Sequence, residues 1–384
     1  MSAERIAVVA AHLRPAQGFG GVAESTAELI RAWRLAGRSL AVVVSDGTKG
    51  PALKIGDFEA ELLGPVEIYH AAVAVRWGFG LGAPVTLFRS LQKVDRVYIS
   101  GIATWPSTLS ALIAKMLNRP YVIALRGGLM REHWEFIRRS KPIKRLFYEW
   151  LVFPALRGAS GVHVTSQIEA RDAQSIVQGV KVFEAPNVFA PPPGDGQPSP
   201  VWSELRLLYL GRLSHEKGIL GFAKGFAALA ASTDRLNVAG SPVGSYGQEV
   251  IAFCERTSGV NYLGTLNRDQ VADAIADTDA LVLPSGVDGD IRENFGNVVV
   301  EALLKGRPVL VTRGLAWDEV EFERVGVLLD RDLGNLKPAL TQLRQWKDEG
   351  EVWLRSKAYA DARFSVGPVA AAIWERIFDR GPLA

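Results

Sequence analysis

Short apolar runs alternate with helical patterns along most of this 384-residue chain, and this alternation restricts the fold more than any other feature. Up to about residue 185 the runs are IAVVAA, LAVVVS, RVYIS, YVIAL and VHVTS. Beyond residue 204 they are LRLLYL, LNVAG, VNYLG, ALVLPS, RPVLV and VGVLL. Buried runs separated by helices are typical of parallel strands, so each set predicts a parallel sheet wrapped by helices.

A proline-rich interval, PNVFAPPPGDGQPSP from Pro186 to Pro200, separates the two sets of runs. We therefore expect an α/β protein of two doubly wound domains, residues 1–190 and 205–364, joined by a linker over 186–204. The length fits two domains, and a hydrophobic content of 48% is enough for two packed cores. A cleft between two such domains is where their ligands are expected to bind.

Two glutamates in the second half form the first candidate site, within PSGVDGDIRENFGNVVVEALLKGRPVLVT. The pattern predicts a helix that opens at the ENFGN turn and ends at a glycine before the strand RPVLV. Glu293 then lies at the helix entrance, and Glu301 lies about two turns deeper on much the same side, since eight residues come to roughly 800°. An elongated polyhydroxylated ligand across the strand ends would meet both carboxylates. Glutamates at these places in a helix are also ordinary, so their spacing alone is weak evidence.

Two cations near a predicted helix start form the second candidate site, within LRLLYLGRLSHEKGILGFAKGF. A strand ends at Gly211, Ser214 is a candidate cap for the next helix, and Arg212 and Lys217 flank the loop. Free backbone N–H groups, the helix dipole and the two cations favour the same anion, which predicts a pyrophosphate cradle. The alternative is a solvated pair of surface cations.

Paired glycines form the third candidate, within IAVVAAHLRPAQGFGGVAESTAELIRAWRLAG. Gly20 and Gly21 lie at a strand-to-helix junction, where the backbone can approach a phosphate closely, and Glu24 suits the helix start. The alternative is a plain turn. GFGG is not the spaced G-x-G-x-x-G of dinucleotide enzymes, which argues against a Rossmann dehydrogenase.

These patterns resemble those of a known enzyme family. The order of strand, Pro-Ser, Glu, Phe-Gly, helix, Glu-Ala and Gly-x-Pro-Val around Glu293 and Glu301 resembles the donor-site signature of retaining GT-B glycosyltransferases, in particular family 4, also called group 1. The segment 211–218 matches the family's G-R-L-x-x-E-K-G, and VTSQIEA and APN match further family positions. The resemblance covers nearly the whole chain and is to bacterial members that assemble polysaccharide and lipopolysaccharide.

The resemblance implies a retaining transfer of a sugar from a nucleotide-sugar donor to a saccharide or lipid-linked saccharide acceptor, in cell-surface polysaccharide or lipopolysaccharide synthesis. It implies that residues 1–190 bind the acceptor, that 205–364 bind the donor, and that a helix at about 365–384 packs back on the first domain. An epimerase of nucleotide sugars, or a non-catalytic nucleotide-binding partner of the polysaccharide machinery on the same fold, is the alternative.

The resemblance also assigns roles to residues. Arg212 and Lys217 are expected to hold the donor diphosphate and to stabilise the departing nucleotide, and Glu293 to contact hydroxyls of the transferred sugar. The further positions that the resemblance places around the donor are Glu301 at the ribose, Phe295, Gly296, Asn297 and Val298 at the helix start, Leu263 near the base, and Gly20 and Gly21 facing the phosphates from the opposite domain.

One position departs from the family pattern. Many members carry a histidine after the strand that here is YVIAL, but this chain has Arg126 followed by Gly127, Gly128 and Leu129, the R-G-x-L form of polysaccharide-assembly members. No catalytic histidine is therefore transferred. We expect Arg126 to steady a donor phosphate or an acceptor hydroxyl through its fixed charge. His163, inside the run VHVTS, is predicted to be a core residue rather than a base.

We expect neither a metal nor a cofactor. Asp288-Gly289-Asp290 imitates a D-x-D metal motif, but Arg212 and Lys217 already supply the positive charge that a pyrophosphate requires. The single cysteine, Cys254, leaves no disulfide framework and no thiolate metal cluster.

The remaining partner predictions come from charge and hydropathy. A net charge of +3 is too small to indicate nucleic acid. Residues 131–157 interleave arginines and lysines with aromatics, which predicts either contact with an anionic membrane or ordinary amphipathic helices. No basic leader precedes an apolar segment and no run of about eighteen apolar residues occurs, so we expect a cytoplasmic protein. If residues 131–157 do contact a membrane, we expect that contact to be peripheral, at the inner face of the cell membrane.

Overall fold

The fold is taken from a computed structural model, which describes residues 4–16, 19–71, 74–189, 204–289, 293 and 295–378. The chain forms two compact units, one from Met1–Ala190 together with Phe364–Ala384, and the other from Pro191–Arg363. We call them unit 1 and unit 2. Most of the expected linker, residues 190–203, lies outside the described residues.

Unit 1 contains a parallel seven-stranded sheet in the order β3-β2-β1-β4-β5-β6-β7. The five predicted runs each form a strand. The sheet also has a three-residue strand at each edge, and neither was predicted because so short a run shows no periodicity. The strands are β1 (Arg5–Ala10), β2 (Ser39–Ser45), β3 (Glu67–Tyr69), β4 (Arg96–Ser100), β5 (Tyr121–Ala124), β6 (Gly161–Val164) and β7 (Val182–Glu184).

Among the described residues up to 189, eight α-helices cover both faces of this sheet. They are α1 (Gly21–Leu35), α2 (Ile55–Leu62), α3 (Ala83–Leu91), α4 (Trp105–Met116), α5 (Arg131–Ser140), α6 (Pro142–Phe147), α7 (Phe153–Gly158) and α8 (Gln167–Ile176). A π-helical turn, Tyr148–Val152, connects α6 with α7. Alternate strand residues point to opposite faces, so Ala7 and Val9 join one core and Ile6 and Val8 join the other.

Unit 2 contains a parallel six-stranded sheet in the order β10-β9-β8-β11-β12-β13. All six predicted runs form its strands, β8 (Arg206–Leu210), β9 (Arg235–Ala239), β10 (Val260–Gly264), β11 (Ala280–Leu283), β12 (Val309–Thr312) and β13 (Gly326–Leu329). Its helices are α9 (Ile219–Leu229), α10 (Gly244–Arg256), α11 (Arg268–Ala276), α12 (Asn297–Leu304), α13 (Glu319–Phe322), α14 (Leu336–Glu349) and α15 (Val352–Phe364).

The last described helix, α16 (Val366–Phe378), returns to unit 1 and packs on α1. The indole nitrogen of Trp33 donates to the carbonyl of Ala370 at 2.7 Å, and the rings of Trp33 and Trp374 meet edge to face at 5.4 Å. The helix expected at about 365–384 is therefore observed up to Phe378, and 379–384 lie outside the described residues.

The strand order reverses once in each sheet, between β1 and β4 in unit 1 and between β8 and β11 in unit 2. At such a switch point the loops that leave the carboxyl ends of the two strands diverge and leave a crevice, where ligands of open α/β sheets bind. The loops after β1, β4, β8 and β11 are thus the first places to look for a site. Among the described residues, no helix is long and apolar enough to cross a bilayer.

Candidate active site

The loops after β8 and β11 are in direct contact at the switch point of unit 2. The N–H of Gly286 donates to the carbonyl of Glu216 at 3.2 Å. Gly218 has φ +66°, and a Cβ on it would lie 2.1 Å from the carbonyl oxygen of Pro284. Only glycine combines this left-handed conformation with so close an approach. The two loops therefore depend on Gly218 for their contact.

This contact brings together two of the predicted site residues. The ammonium of Lys217 forms an ion pair with Oε2 of Glu293, and the hydroxyl of Ser285 lies 3.4 Å from the same oxygen. The side chains of Lys217 and Glu293 are only 19% and 11% exposed. The Coulomb attraction within a pair so well shielded from water is stronger than on the surface, but both charges have lost hydration, so each of them requires a partner. Burial and the nearby charge of Glu293 also raise the pKa of Tyr209, beneath the pair, well above its ordinary value.

Arg212 lies on the same loop but extends into solvent. Its side chain is 62% exposed, and its Nη2 lies 3.2 Å from Oε1 of Glu216. Burial acts to raise the pKa of Glu216, but hydrogen bonds and the charges of Arg212 and Lys217 outweigh it and lower that pKa. Glu216 is therefore ionised at neutral pH. An exposed pair of this kind is weak, so the guanidinium of Arg212 can exchange Glu216 for a stronger anion.

The start of α9 differs from the sequence-based prediction. Ser214 precedes a 3₁₀ turn, His215–Lys217, and α9 begins only at Ile219 after Gly218, so Ser214 does not cap it. The N–H of Leu220 donates to the Tyr246 hydroxyl at 3.0 Å, and the N–H of Gly221 donates to Asp288 at 3.0 Å. These two donors are occupied within the protein. The prediction that free N–H groups of this helix complete a pyrophosphate cradle is wrong for both.

Tyr246 and Asp288 are residues that the sequence reasoning missed as parts of this site. The Tyr246 hydroxyl donates to Oδ2 of Asp288 at 2.6 Å, and together they satisfy the first turn of α9. Asp288 thus caps a helix within the segment that imitates D-x-D, and Asp290 lies outside the described residues. Among the residues that are described, no group of three or more His, Cys, Asp or Glu is arranged to hold a metal ion.

The glutamate pair also differs from its predicted geometry. Helix α12 begins at Asn297, with Gly296 at φ +72° as its cap, so Glu293 lies on the loop before the helix. The angular relation of roughly 800° between Glu293 and Glu301 therefore does not apply, because it requires both to be helical. Glu301 lies on α12 itself, where it shares the half-buried side with Asn297 and Val298. The remaining α12 residues from Val299 to Leu304 are buried.

Phe295 and Leu263, two further predicted donor contacts, differ in their exposure to solvent. Phe295 is 7% exposed, its ring lies 4.9 Å from that of Trp317, and its carbonyl accepts a hydrogen bond from the Trp317 indole. Phe295 is therefore a packed residue that fixes the loop before α12. Leu263 is 40% exposed at the carboxyl end of the edge strand β10. Its proposed contact with a base stays a prediction.

In unit 1, the paired glycines lie where the sequence places them, at the start of α1. Gly20 caps the helix with φ +66° and Gly21 is its first residue. Arg14, which follows β1, is buried and forms ion pairs with Glu24, Glu28 and Glu61. Burial acts to lower the pKa of Arg14, but the charges of Glu24 and Glu28 outweigh it and raise that pKa.

Arg126 is held by a chain of hydrogen bonds across the same sheet. Its guanidinium donates to the side-chain oxygen of Asn187 and, at 3.0 Å, to the hydroxyl of Tyr98. The ring of His163 lies 2.7 Å from that hydroxyl through Nδ1 and 2.9 Å from the carbonyl of Ala185 through Nε2. Because a carbonyl only accepts, Nε2 carries the proton and Nδ1 accepts from Tyr98.

These hydrogen bonds and the burial of the ring explain the protonation state of His163. Burial, followed by the charge of Arg126, lowers its pKa to about 3. His163 is neutral and hydrogen-bonded in the core, as predicted. A direct role for Arg126 at a donor phosphate or an acceptor hydroxyl stays a prediction, since two of its nitrogens already bond within unit 1.

Comparison with known proteins agrees with the arrangement of two doubly wound units. Residues 20–194 match the family model described as glycosyl transferase 4-like domain, and residues 204–345 match the one described as glycosyl transferases group 1. Together the two matches span most of the chain. No curated protein matches it in sequence.

Solved structures extend the likeness to the whole fold. HepE from Anabaena in complex with UDP and glucose is 18% identical, with a TM-score of 0.69, over 96% of this chain and 98% of that chain. Sucrose-phosphate synthase from Thermosynechococcus elongatus is 16% identical, with a TM-score of 0.68, over 97% and 98%. WaaG, a glycosyltransferase involved in lipopolysaccharide biosynthesis, is 15% identical, with a TM-score of 0.66, over 97% and 99%. At these identities the likeness establishes the fold.

Two parallel α/β units of this kind define the GT-B class of glycosyltransferases. Within that class, the chain belongs to the group 1 glycosyl transferases and is a glycosyltransferase enzyme.

Proposed function

We propose that this protein is a retaining glycosyltransferase that moves a sugar from a nucleotide-sugar donor to a saccharide or lipid-linked saccharide acceptor, in the synthesis of a cell-surface polysaccharide or lipopolysaccharide. The ion pair between Lys217 and Glu293 carries the proposal, because it places a cation and a carboxylate together at the switch point of unit 2. The complex of HepE with UDP and glucose and the role of WaaG in lipopolysaccharide biosynthesis support this direction.

A nucleotide sugar contains groups that could replace Lys217 and Glu293 as each other's partners. Its diphosphate is an anion that suits the ammonium of Lys217 and the exposed guanidinium of Arg212. Its sugar hydroxyls are donors that suit the carboxylate of Glu293. Donor binding therefore exchanges one internal ion pair for two sets of contacts with the ligand. This exchange keeps both charged groups satisfied in a site that excludes most water.

The contacts of Lys217 and Arg212 with the diphosphate also contribute to catalysis. As the bond between the sugar carbon and the diphosphate oxygen breaks, negative charge grows on the leaving group, and Lys217 and Arg212 stabilise it. The acceptor oxygen attacks the same face, which retains the configuration, and its proton passes to the leaving phosphate. The two cations supply the positive charge for this step, so we propose that the reaction needs neither a metal nor a cofactor.

The half-buried side of α12 supplies the proposed ribose contact. Asn297, Val298 and Glu301 share this side, and the carboxylate of Glu301 suits the two vicinal hydroxyls of a ribose. Removal of this carboxylate should weaken the binding of every nucleotide that binds here, whatever its base.

Contact with an anionic membrane through residues 131–157 is part of the proposal. Ile143, Leu146 and Trp150 follow one another at helical spacing and are 84%, 54% and 76% exposed. Basic residues, among them Lys141 and Lys144, lie on the same segment. An exposed apolar stripe beside cations suits the headgroup region of an anionic bilayer. A lipid-linked acceptor at the inner face of the cell membrane would then be within reach.

The first experiment is a thermal-unfolding screen against UDP-, GDP-, ADP- and TDP-sugars, the free diphosphates and NAD. A ligand at a hundred times its dissociation constant should stabilise the protein by about 2.7 kcal/mol. We expect one nucleotide family to stabilise the wild type and Glu301→Ala to lose this shift. Glu255→Ala is the matched control, because Glu255 is an exposed glutamate on α10 of the same unit.

The result that would contradict the proposal is the absence of stabilisation by any nucleotide, or an equal shift in Glu301→Ala. With the donor identified, NMR of the product shows whether its anomeric configuration matches that of the donor. An inverted product would refute retention alone.

A further inference from the structure

Unit 1 contains a large cavity at the carboxyl edge of its sheet, and none of the candidate donor contacts lines it. Its volume is about 1120 Å³, which exceeds that of most sites for a drug-sized ligand. Its walls come from segments that follow three strands, namely 74–77 after β3, 102–104 after β4 and Gly128 after β5, and from residues 140–144 and 147–148. It therefore lies on the edge of the sheet where parallel α/β sheets bind their ligands.

One wall of this cavity is apolar and well supported. The rings of Trp77 and Phe147 meet edge to face at 5.9 Å, and the Trp77 indole donates to the carbonyl of Ala103 at 2.7 Å. Ile102 and Tyr148 complete this surface. A hydrogen-bonded, packed aromatic wall loses little conformational entropy on binding, so it favours an apolar ligand.

The cavity is also lined by three positively charged side chains, Arg76, Lys141 and Lys144. Among the described residues, none of their charged groups is paired with a carboxylate. Burial, followed by the charges of Arg76 and Lys141, lowers the pKa of Lys144. The three cations thus lie close enough to repel one another, and an anion between them would relieve this repulsion.

Neighbouring arginines on the same helices show a different arrangement. Arg145 lies 2.7 Å from Glu149, and Arg139 lies 3.0 Å from Glu135. Glu149 and Glu135 therefore neutralise Arg145 and Arg139, neither of which lines the cavity.

We propose that this cavity binds an anionic amphiphile, an apolar chain or ring system that carries a phosphate group, and that this molecule is the carrier part of the acceptor. The apolar wall takes the chain, and the three cations take the phosphate oxygens by charge-assisted hydrogen bonds. Ile143, 84% exposed at the cavity lining, extends the apolar surface outwards for the rest of the chain. This inference rests on the proposed function, since it names the acceptor class of the same reaction.

The donor is the less suitable occupant of this cavity. A nucleotide sugar has no apolar chain to cover the surface of Trp77 and Phe147, and none of its candidate contacts lines this cavity. A free phosphate would satisfy the cations and leave the aromatic wall uncovered. Only a ligand with both parts uses the whole cavity.

The test is calorimetric titration of the full-length protein with octyl phosphate below its critical micelle concentration, with octanol, and with inorganic phosphate. We expect octyl phosphate to bind at least about tenfold more tightly than either of the others, with a negative heat-capacity change from apolar burial. Lys141→Gln with Lys144→Gln should weaken octyl phosphate at least about tenfold, the scale of lost charge-assisted contacts. Arg145→Gln, which removes a cation already paired with Glu149, should leave its affinity within about twofold.

A second variant tests the apolar part at an exposed position that does not support the fold. Ile143→Asp places a carboxylate at the cavity lining and should weaken octyl phosphate, and unchanged thermal unfolding would show that the fold is intact. Saturating nucleoside diphosphate should leave the affinity for octyl phosphate within about twofold, because the sites differ.

The inference is overturned if octyl phosphate does not bind, if octanol or inorganic phosphate binds as tightly, if the lysine variants bind like the wild type, or if nucleotide displaces the amphiphile. These outcomes are separate from those of the nucleotide screen. Nucleotide binding without binding of octyl phosphate would refute this inference and leave the proposed function intact. The reverse result would refute the proposed function, and with it the identification of the ligand as part of the acceptor, and would leave only an amphiphile-binding cavity.

Discussion

The cap on helix α9 provides a sharp prediction, because Tyr246 and Asp288 reach its first turn from distant positions in the chain and join it to the loop after β11. Asp288 accepts hydrogen bonds from the Gly221 N–H at 3.0 Å and from the Tyr246 hydroxyl at 2.6 Å. Asp288→Ala removes both. Loss of a helix cap costs about 0.5–2 kcal/mol, and leaving two half-buried donors unsatisfied adds at least about 1 kcal/mol. We expect unit 2 to lose about 2–3 kcal/mol of unfolding free energy.

Differential scanning calorimetry measures this effect, with the transition of unit 2 identified as the one that nucleotide raises. For a unit of this size, 1 kcal/mol corresponds to about 2–4 °C, so the Tm of that transition should fall by about 4–12 °C. Asp269→Ala is the matched control, because Asp269 is an exposed carboxylate in the first turn of α11. It should cost only the dipole contribution of about 0.3–1 kcal/mol.

Tyr246→Phe completes a double-mutant cycle with Asp288→Ala. The bond between the two side chains is lost in either single variant, so the double variant should be less destabilised than the sum by about 1 kcal/mol. A Tm for Asp288→Ala equal to that of Asp269→Ala, or strict additivity in the cycle, would refute this account of the cap.

Three other predictions concern a loop contact, a buried histidine and the exposed stripe. Gly218→Ala places a Cβ 2.1 Å from a main-chain oxygen of the next loop, so in thermal unfolding it should cost at least about 2 kcal/mol more than Gly244→Ala, which has φ +58° and open space; equal costs would contradict the clash. His163 has a pKa of about 3 when folded against 6.5 as its ordinary value, so the unfolded state takes up its proton first and stability falls as pH falls between these values, by about 1.4 kcal/mol per pH unit. His163→Gln should remove that slope from acid-unfolding data, and an unchanged slope would contradict the buried neutral ring. Trp150→Ser should reduce co-sedimentation with anionic vesicles severalfold, whereas Phe322→Ser, 87% exposed in the other unit, should not; equal binding by both would refute membrane contact through this stripe.

Much of the fold was predictable from local pattern. A strand of four to seven residues is visible in the sequence as an apolar run, whichever strands pair with it. Eleven such runs form strands in the structure. The edge strands β3 and β7 have three residues each, and their partly polar runs contain no such signal. Their pairing is set by the neighbouring strands, which a local pattern does not contain.

The sequence singled out Lys217 and Glu293 on the loops after β8 and β11, but it did not predict the geometry of these loops. Lys217 and Glu293 meet although 76 residues separate them, because the parallel topology brings β8 and β11 side by side. The helical phase between Glu293 and Glu301 was wrong because the left-handed Gly296 starts the helix after Glu293. Similarly, nothing local to α9 indicates that its first turn is capped from positions 26 and 67 residues away.

The central claim is that Lys217 recognises a donor diphosphate at the switch point of unit 2, and calorimetric titration of the nucleotide found in the screen tests it most directly. In the wild type, the nucleoside diphosphate should bind at least about tenfold more tightly than the monophosphate, because the second phosphate adds charge-assisted contacts. Lys217→Met should abolish most of this difference. Lys224→Met, which removes an exposed lysine of α9 that lies 3.5 Å from Glu249, should retain it. An undiminished preference for the diphosphate in Lys217→Met would contradict the account.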